Sequence, residues 1–430
     1  MRPIVKIALV VGMTTTLLGS ASWVASSEPS AEINDGSAAP EELPAYLSPS
    51  MDPATGYTVT RVTDPGAPAS PKQYCGHAYC THRYSSSQAW SADQKLLLIS
   101  NGCNGLCFLD GQTYAPLFRR QRRGECEWHP RRPETLICVS GRAVSLWEPR
   151  TDRSELIYST SSYRELRFGP SKGNPSLDGN RIVVRGATSN GQFDALVIDI
   201  GKRKALPPIH LSELPGDSDY CSISPLGTYV VCVQNVGSDV ENMFVLLPGG
   251  KIVQRWEENH RPGHGDMTVD DAGDEVYVGI SKSDPDRYHV IKRRLKDGVV
   301  TSLAGYGEGQ HVSLRATIGP KLAIVSYGGD PAEVAAHPDW APFAREVIAL
   351  PLDGRGPARL IAKTQNVPFD YWSETHASPS PDGSQIIWSS NWGRPGGPVY
   401  DFVTRVNSSE PRDQSCSEKP RQKGSACITQ

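Results

Sequence analysis

Residues 375–389, with the sequence THASPSPDGSQIIWS, contain the pattern that decides the fold of this chain. Small and apolar residues come first, Pro381, Asp382 and Gly383 follow, and an alternating apolar segment then runs through Trp388. A Pro-Asp-Gly turn between two such segments is typical of a β-hairpin. The sequence therefore predicts two antiparallel strands that meet at Asp382.

Weaker copies of this hairpin recur along the chain. The clearest are residues 221–232 (CSISPLGTYVVC) and 267–278 (MTVDDAGDEVYV). Seven turns are recognisable, and they are centred on Asp93, Arg131, Asp178, Leu226, Ala272, Gly319 and Asp382. Their spacing of roughly 40 to 60 residues is the period expected of propeller blades. One hairpin cannot bury both of its faces alone, so we expect the neighbouring repeats to stack in a ring.

The composition favours one large all-β domain. Helical periodicity is nearly absent, and 40 glycines and 35 prolines interrupt many short apolar runs. The net charge of -3 indicates no general preference for polyanions or polycations. We therefore predict a seven-bladed β-propeller of four-stranded antiparallel blades.

The two ends of the propeller are expected to meet in one blade. Residues 57–63 and residues 399–406 both read as alternating strands. An N-terminal strand that completes the last blade would close the ring and remove sheet edges that otherwise promote aggregation. We therefore expect these two segments to pair.

The chain begins with a pattern typical of export. Residues 1–6 are basic, residues 7–18 are apolar, and small residues follow. This predicts a signal peptide at 1–26, with an uncleaved anchor as the alternative, and a secreted or periplasmic protein. We further expect a flexible linker at 27–55, the propeller at 56–406 and a C-terminal tail at 407–430, in a monomer with no stable membrane span.

The ten cysteines fall as neighbours in the sequence, which favours disulfides in an exported chain. The five expected pairs are Cys75–Cys80, Cys103–Cys107, Cys126–Cys138, Cys221–Cys232 and Cys416–Cys427. The third and fourth pairs each bracket a hairpin, so both are expected to join opposite strands at equivalent positions. A zinc site is the alternative for part of this set, and its ligands would be Cys75, His77, Cys80 and His82.

Three histidines precede their turns at a similar distance. His264, His311 and His376 stand nine, eight and seven residues before the turn glycines 273, 319 and 383. Residues just before each inner strand of a propeller surround one mouth of its central channel. Imidazoles that meet there, with Gln310 beside them, suit Zn or Mn. A purely structural role, in which each imidazole hydrogen-bonds a nearby loop, is the alternative.

The repeated Ser-Pro-Asp-Gly hairpins resemble TolB-type and WD-repeat-type propellers over about residues 56–406. The histidine and glutamine pattern resembles that of oligogalacturonate lyases, which are seven-bladed propellers that hold a divalent metal with His and Gln residues. The resemblance implies metal-assisted β-elimination of a uronate polysaccharide. The ligands that it implies are His264, Gln310, His311 and His376.

Basic residues around the expected channel mouth indicate an acidic ligand, since guanidinium groups bind carboxylate or sulfate with two hydrogen bonds. The expected substrate-binding residues are His82, Arg122, Arg123 and Arg167. The alternative is a set of solvated loops with no ligand. Nucleic acid is not an expected partner, because no aromatic residues alternate with the arginines of this exported chain. An acidic oligosaccharide or a cell-envelope ligand is the expected partner.

β-Elimination requires neutralisation of the uronate carboxylate, a base and an acid. The candidate catalytic residues are Tyr163, Arg164 and Tyr220. Glycoside hydrolysis by two carboxylates remains open, and the carboxylates expected near the channel are Glu125, Asp219, Asp266 and Glu374. A propeller that only binds a partner is the second function class, and a bound metal would favour the enzyme.

Overall fold

The computed structural model describes residues 42–406 except 67–71, 73–74, 169–173, 238–239, 259–262, 338 and 341–342. The expected signal peptide, residues 27–41 of the expected linker and the expected Cys416–Cys427 disulfide lie outside the described residues.

The described residues form thirty β-strands, one short α-helix and two 3-10 turns. The strands are β1 (Ser50–Met51), β2 (Thr58–Arg61), β3 (Tyr79–Cys80), β4 (Leu96–Ile99), β5 (Leu106–Asp110), β6 (Pro116–Arg120), β7 (Glu125–Trp128), β8 (Leu136–Ser140), β9 (Ala143–Glu148), β10 (Arg153–Ser159), β11 (Glu165–Arg167), β12 (Arg181–Ala187), β13 (Phe193–Asp199), β14 (Lys204–Ala205), β15 (Ile209–His210), β16 (Asp217–Ile223), β17 (Val230–Gly237), β18 (Val240–Leu246), β19 (Ile252–Glu258), β20 (Gly263–Val269), β21 (Glu275–Ile280), β22 (Val290–Arg294), β23 (Val300–Ala304), β24 (Gly309–Ser313), β25 (Leu322–Tyr327), β26 (Glu346–Pro351), β27 (Arg359–Lys363), β28 (Ser378–Pro379), β29 (Gln385–Ser390) and β30 (Val399–Arg405). The helix α1 spans Pro331–Ala336, and the 3-10 turns span Leu211–Glu213 and Tyr371–Ser373.

The strands build seven sheets, and each sheet is one blade of a propeller, as the sequence predicted. Blades 1 to 6 comprise β4–β6, β7–β10, β11–β15, β16–β19, β20–β23 and β24–β27 in that order, and blade 7 comprises β28–β30 with β1, β2 and β3. Blades 2, 4, 5 and 6 have four strands each, as expected. Blade 1 differs, because Trp90 pairs with Leu97 of β4 only through an isolated bridge where an inner strand was expected.

The ring closes through the N-terminal strand. β2 pairs antiparallel with β30, so that Thr58 lies opposite Arg405 and Arg61 lies opposite Phe402. This confirms the predicted pairing of the two ends. β1 pairs in turn with β2, with Ser50 opposite Val59, so part of the segment expected to be a linker is an outer strand of blade 7.

Local hydrogen bonds explain why the repeated turns form. The Ser380 hydroxyl donates to Asp382 Oδ1 at 2.7 Å, and the same oxygen accepts the backbone N–H of Ser384 at 2.9 Å. Gly383 has φ +74°, a conformation in which a side chain would be strained. The same Ser-x-Asp contact recurs in Ser91–Asp93 and Ser176–Asp178. A short polar sequence therefore specifies each tight turn.

Apolar residues bury the faces of neighbouring blades against each other. Ile137 and Val139 of blade 2 pack in one cluster with Ile182 and Val184 of blade 3, and all four are at most 2% exposed. Burial of an aliphatic side chain of this size contributes about 1.5 to 3 kcal/mol relative to exposure. The contact between blades is therefore a main source of stability.

Four disulfides join the described cysteines. Cys126–Cys138 and Cys221–Cys232 each connect directly opposed residues of the first two strands of a blade, with Cα atoms 4.1 Å apart, as predicted. Cys75 is bonded to Cys80, which excludes the alternative zinc site because neither sulfur is a thiolate. These bonds indicate an oxidising, extracytoplasmic location.

The one α-helix of the described residues is a single short turn. No helix in the described part of the chain is long and apolar enough to cross a membrane.

Candidate metal centre

Three histidines from adjacent blades meet at one mouth of the central channel. His264 lies on β20 and His311 on β24, while His376 stands just before β28. The ring centroids of His264 and His311 are 4.6 Å apart with nearly parallel planes, and those of His311 and His376 are 4.1 Å apart. We call these three residues the histidine cluster.

Glu374 adds an oxygen donor to the histidine cluster. Its Oε2 lies 2.5 Å from Nε2 of His311. One ligand atom from each of His311, Glu374 and His376 lies within 4.8 Å of the others. Two imidazole nitrogens and a carboxylate oxygen at this separation form a donor set that Zn and Mn both accept. The sequence placed Glu374 near the channel as a possible hydrolytic carboxylate, not as a ligand.

Two residues of the histidine cluster have an uncommon backbone conformation that sets the direction of their side chains. His264 and His376 both have φ +48°, which is uncommon outside glycine and costs of order 1 to 3 kcal/mol. The pairing of β20 with β21 shifts register between Gly263 and Asp266, and that of β24 with β25 shifts between Gly309 and His311. Such bulges redirect side chains at the ends of strands. The strained conformations thus occur where the cluster forms.

Gln310, an expected ligand, contacts the histidine cluster through its backbone. Its backbone carbonyl accepts a hydrogen bond from Nδ1 of His264 at 2.6 Å. Its side chain packs so closely on Gly328 that a Cβ there would lie 2.5 Å from Nε2 of Gln310. Because Nδ1 of His264 must donate to a carbonyl, the lone pair of the neutral ring lies on Nε2. The Gln310 backbone therefore orients His264. Its side-chain Oε1 is buried without a hydrogen-bond partner among the described residues, and its expected role as a ligand stays a prediction.

The side chain of His82 contacts the backbone of His376, a member of the histidine cluster. Its ring is buried, with Nδ1 3.0 Å from Oδ1 of Asp401 and Nε2 2.7 Å from the backbone carbonyl of His376. Burial alone would lower the pKa of His82, but the Asp401 charge and both hydrogen bonds outweigh it and raise the pKa. The substrate-binding role expected for His82 does not fit this position, because both ring nitrogens face protein acceptors and the ring is covered.

The electrostatics keep His376 neutral. Burial lowers its pKa to about 3, and the neighbouring His82 and His264 act in the same direction. Burial also raises the pKa of Glu374 to about 7, with a further contribution from Asp370. Nε2 of His376 is buried and has no hydrogen-bond partner among the described residues. A neutral, buried imidazole with an unused nitrogen fits a metal ligand, since a cation would satisfy that nitrogen.

Two tyrosines that the sequence did not indicate form the walls of the site. The hydroxyls of Tyr84 and Tyr371 are 2.6 Å apart. The Tyr371 ring meets all three rings of the histidine cluster edge to face, at centroid distances of 5.6, 5.7 and 5.6 Å. Burial and the neighbouring Tyr371 raise the pKa of Tyr84 well above its usual value. No local sequence signal marks these residues, because Tyr84 and Tyr371 lie far apart in the chain.

The two tyrosines proposed for catalysis differ in position. Tyr163 donates to Oδ2 of Asp194 at 2.7 Å and packs in the core between blades 2 and 3. Tyr220 packs partly buried against Tyr277, and burial raises its pKa well above the usual value. Tyr84, a wall residue of the site, is among the neighbours that raise this pKa, so Tyr220 lies near the site. Tyr163 serves the packing of blade 3, which argues against the catalytic role expected from its position before the strand.

Arg164 and Arg167 line an open groove on blade 3. The groove, of about 590 Å³, also includes Arg185, which stacks on Phe193 at 4.2 Å. Nε of Arg164 donates to the Thr188 carbonyl at 2.9 Å, and Arg167 pairs with Glu165 at 2.9 Å. Both guanidinium groups are exposed and positively charged. Their positions are compatible with binding an acidic group.

Arg122 and Arg123 diverge, although the sequence placed them together. Arg122 donates to the Ser100 carbonyl and borders a pocket beside Trp372. Arg123 pairs with Asp152 at 2.9 Å and stacks over Trp147. The two neighbours thus contact different parts of the molecule, and only Arg122 lies beside a pocket.

Asp266 and Glu125, two of the four candidate hydrolytic carboxylates, are held by protein groups outside the histidine cluster. Asp266 forms a two-point ion pair with Arg315, with both contacts at 2.8 Å, and is 3% exposed. Glu125 accepts the backbone N–H of Phe168 at 2.6 Å. The paired Asp266 is a structural charge, which weakens the hydrolytic alternative for this residue.

Two solved structures share this fold over most of the chain. An oligogalacturonate lyase in complex with manganese matches with a TM-score of 0.55 and 16% identity, over 87% of this chain and 99% of the other. An oligogalacturonate lyase from Vibrio parahaemolyticus matches with a TM-score of 0.56 and 12% identity, over 84% and 97%. At these identities the likeness shows a common seven-bladed fold, which agrees with the resemblance inferred from the sequence.

A weaker match is TolB from Acinetobacter baumannii, with a TM-score of 0.36 and 10% identity over 63% of each chain. No family model matches the sequence, and no curated protein is similar to it.

Proposed function

We propose that this protein is an exported propeller, either secreted or periplasmic. It binds an acidic carbohydrate at a divalent metal centre and cleaves it by β-elimination. The observation that carries the proposal is the convergence of His311, Glu374 and His376, whose ligand atoms lie within 4.8 Å of one another. The shared fold with two oligogalacturonate lyases, one of them bound to manganese, supports the same activity and metal.

The residues fit a metal for three physical reasons. His376 is neutral and its buried Nε2 lacks a protein partner among the described residues. Glu374 supplies the charge that a divalent ion prefers over a neutral amide. His264 stands beside His311 with its Nδ1 fixed by a carbonyl, and we assign it as a further ligand. Manganese or zinc bound here would neutralise the uronate carboxylate and so acidify the adjacent C–H bond.

The surrounding residues would hold the substrate and move a proton. β-Elimination breaks the C5–H and C4–O bonds of the uronate and forms the C4=C5 double bond, so one proton leaves C5 and one reaches the leaving oxygen. The Tyr371 hydroxyl contacts the buried Tyr84 hydroxyl, and Tyr371 as a phenolate would take the C5 proton and return it to the leaving oxygen. Arg164 and Arg167, in the groove of blade 3, would bind carboxylates of further sugar units. The Tyr371 ring also covers the histidine cluster and limits access of water to it.

Metal analysis and a substrate screen test this proposal. The purified protein is assayed for bound metals, stripped with a chelator and titrated with Mn²⁺ and Zn²⁺ by calorimetry. It is then mixed with polygalacturonate and other uronate polymers, and the absorbance of the unsaturated product is followed. We expect metal binding and metal-dependent product. A protein that binds neither ion and releases no product from any uronate polymer would refute the assignment.

A binding propeller without catalysis is the second candidate. The hydrogen bonds from His264 to the Gln310 carbonyl and between His311 and Glu374 favour it, since they give these imidazoles protein partners. The same experiment separates the two candidates, because a binding protein would retain the polymer without producing the unsaturated product.

A further inference from the structure

A small pocket that Trp372 borders lies beside the candidate metal centre. It has a volume of about 280 Å³. Its lining comes from four segments that are distant in sequence, namely Tyr79 and Thr81, Ser100 to Cys103, Arg122 and Trp372. Small-molecule pockets commonly measure about 300 to 1,000 Å³, so this one suits a single ring rather than a long chain.

One wall of the pocket is an exposed indole on a rigid turn. Trp372 is 53% exposed, an unusual state for so large an apolar side chain. It lies in the 3-10 turn Tyr371–Ser373, where Oδ1 of Asp370 accepts the N–H of Ser373 at 2.8 Å and the Ser373 hydroxyl donates to the Asp370 carbonyl at 2.7 Å. Asp370 also accepts the Tyr79 hydroxyl. Asp370 therefore caps the turn and joins it to Tyr79, which also lines the pocket.

The other wall is polar and positively charged. Arg122 donates to the Ser100 carbonyl, which anchors the guanidinium at the edge of the pocket. The Asn101 amide donates to the His82 and Arg83 carbonyls at 2.8 and 3.1 Å, which holds the lining loop in place. No ion pair within the described part of the chain includes Arg122, whereas its neighbour Arg123 is paired with Asp152. Arg122 thus offers an anchored cation to a ligand.

Two consecutive residues, Tyr371 and Trp372, connect the histidine cluster to the pocket. The Tyr371 ring contacts the rings of His264, His311 and His376, and also lies 5.4 Å from the ring of Trp372 in an edge-on arrangement. A ligand bound over the cluster that extends past Tyr371 therefore reaches Trp372. An aromatic ring and a guanidinium that line one ring-sized pocket match a sugar that carries a carboxylate.

We propose that this pocket binds one uronic acid unit of the substrate, with the sugar ring on the face of Trp372 and its carboxylate on Arg122. The proposal rests on the proposed function for the class of ligand, but it requires neither metal nor cleavage. The pocket would hold the unit next to the one at the metal centre, and so select acidic over neutral chains.

Calorimetry on the chelator-treated full-length protein tests the pocket without the metal. The probes are a galacturonate trimer and a neutral galactose trimer. We expect the acidic trimer to bind, and Arg122→Gln to weaken that binding about tenfold or more, as loss of a charge-assisted hydrogen bond would. Trp372→Ala should weaken it similarly. Arg123→Gln is the matched control and should leave binding unchanged, and Trp372→Phe, which keeps an aromatic face, should restore part of the affinity lost in the Ala variant.

The experiments distinguish failure of the proposed uronate site in the pocket from failure of the proposed metal-dependent activity. If the Arg122→Gln and Arg123→Gln variants bind the acidic trimer equally, or if both trimers bind equally, the pocket is not a uronate site. This conclusion holds even if metal-dependent cleavage is found. Binding that depends on Arg122 and Trp372 in a protein that neither holds a metal nor forms product would support the pocket while the proposed enzyme activity fails. Thermal unfolding of each variant shows whether any loss of binding reflects loss of fold.

Discussion

His82 and His376 are joined by a hydrogen bond of 2.7 Å from Nε2 of the former to the backbone carbonyl of the latter. Nδ1 of His82 faces Asp401, which lies on β30 of the same blade. Both ring nitrogens donate when the ring is protonated, in agreement with its raised pKa. The unusual backbone of His376, with φ +48°, is thus fixed by a buried ion pair. The backbone position of His376 therefore depends on a contact with β30, the strand that also pairs with β2.

Replacement of Asp401 by Asn should therefore affect both stability and metal binding. Removal of one partner of a buried pair typically costs about 3 to 5 kcal/mol, because the other charge remains without compensation. We expect a loss of this order in urea unfolding, together with weaker Mn²⁺ binding in calorimetry. The control is Asp152→Asn, which removes an exposed partner of Arg123 and should cost at most about 1 kcal/mol. Equal losses in the two variants would contradict the role of Asp401.

Replacement of Glu374 by Gln should reduce metal affinity while the fold persists. The variant keeps the size of the side chain but replaces the charged carboxylate, which binds a divalent cation well, with a neutral amide. Loss of an outer-sphere partner alone usually costs 10- to 100-fold, so we expect a decrease of at least about tenfold for a direct ligand. Titration with Mn²⁺ measures it. Glu333→Gln, on the exposed helix α1, is the control. Unchanged affinity in the Glu374 variant would exclude this carboxylate as a ligand.

The disulfide Cys126–Cys138 should contribute measurably to stability. Its loop spans 12 residues, and a cross-link of this length restricts the unfolded chain by about 2 to 3 kcal/mol. The double variant Cys126→Ala, Cys138→Ala should lose that amount in urea unfolding. Removal of Cys221–Cys232, which spans 11 residues at the equivalent place in blade 4, should cost about the same. Mass mapping of the non-reduced protein checks both pairings, and cross-pairing between the two blades would refute them.

The stability should fall in mild acid because of His129. Its Nδ1 accepts the backbone N–H groups of Arg131 and Arg132 at 3.1 and 3.0 Å, which only an unprotonated nitrogen can do. Burial lowers the pKa of His129 to about 4, and the charge of Arg132 acts in the same direction. The unfolded chain takes up a proton near pH 6.5 and the folded chain only near pH 4. This contribution to stability is therefore complete above pH 6.5 and is lost between pH 6.5 and 4, by about 2 to 3 kcal/mol.

The variant His129→Asn isolates this effect, since the amide oxygen replaces the Nδ1 acceptor and does not titrate. Urea unfolding at several pH values from 4 to 7 should show a smaller loss of stability in acid for the variant than for the natural protein. The same pH dependence in both proteins would show that His129 is not the responsible group.

The fold was predictable because its signals are local. The turn at Asp382 is made by Ser380 and Ser384, and each cysteine bridge joins residues close in sequence. The approach of the three histidines also follows from the register of repeated hairpins. The approach of Glu374 to His311 did not follow, because the register shift next to His311 depends on the neighbouring strand.

Other features of the site arise only after distant segments meet. Asp401 approaches His82 across 319 positions, and Tyr84 approaches Tyr371 across 287. No pattern in either segment indicates the other. The sequence therefore predicted histidines at a channel mouth but not the residues that orient and surround them.

The pairing of Thr58 with Arg405 also sets the order in which the chain can mature during synthesis. β2 emerges early and cannot pair with β30 until the end of the chain has been made, so a chain that ends between β29 and β30 carries two open strand edges, those of β2 and β29. Open edges recruit other chains. A product truncated there would therefore be prone to aggregation and proteolysis.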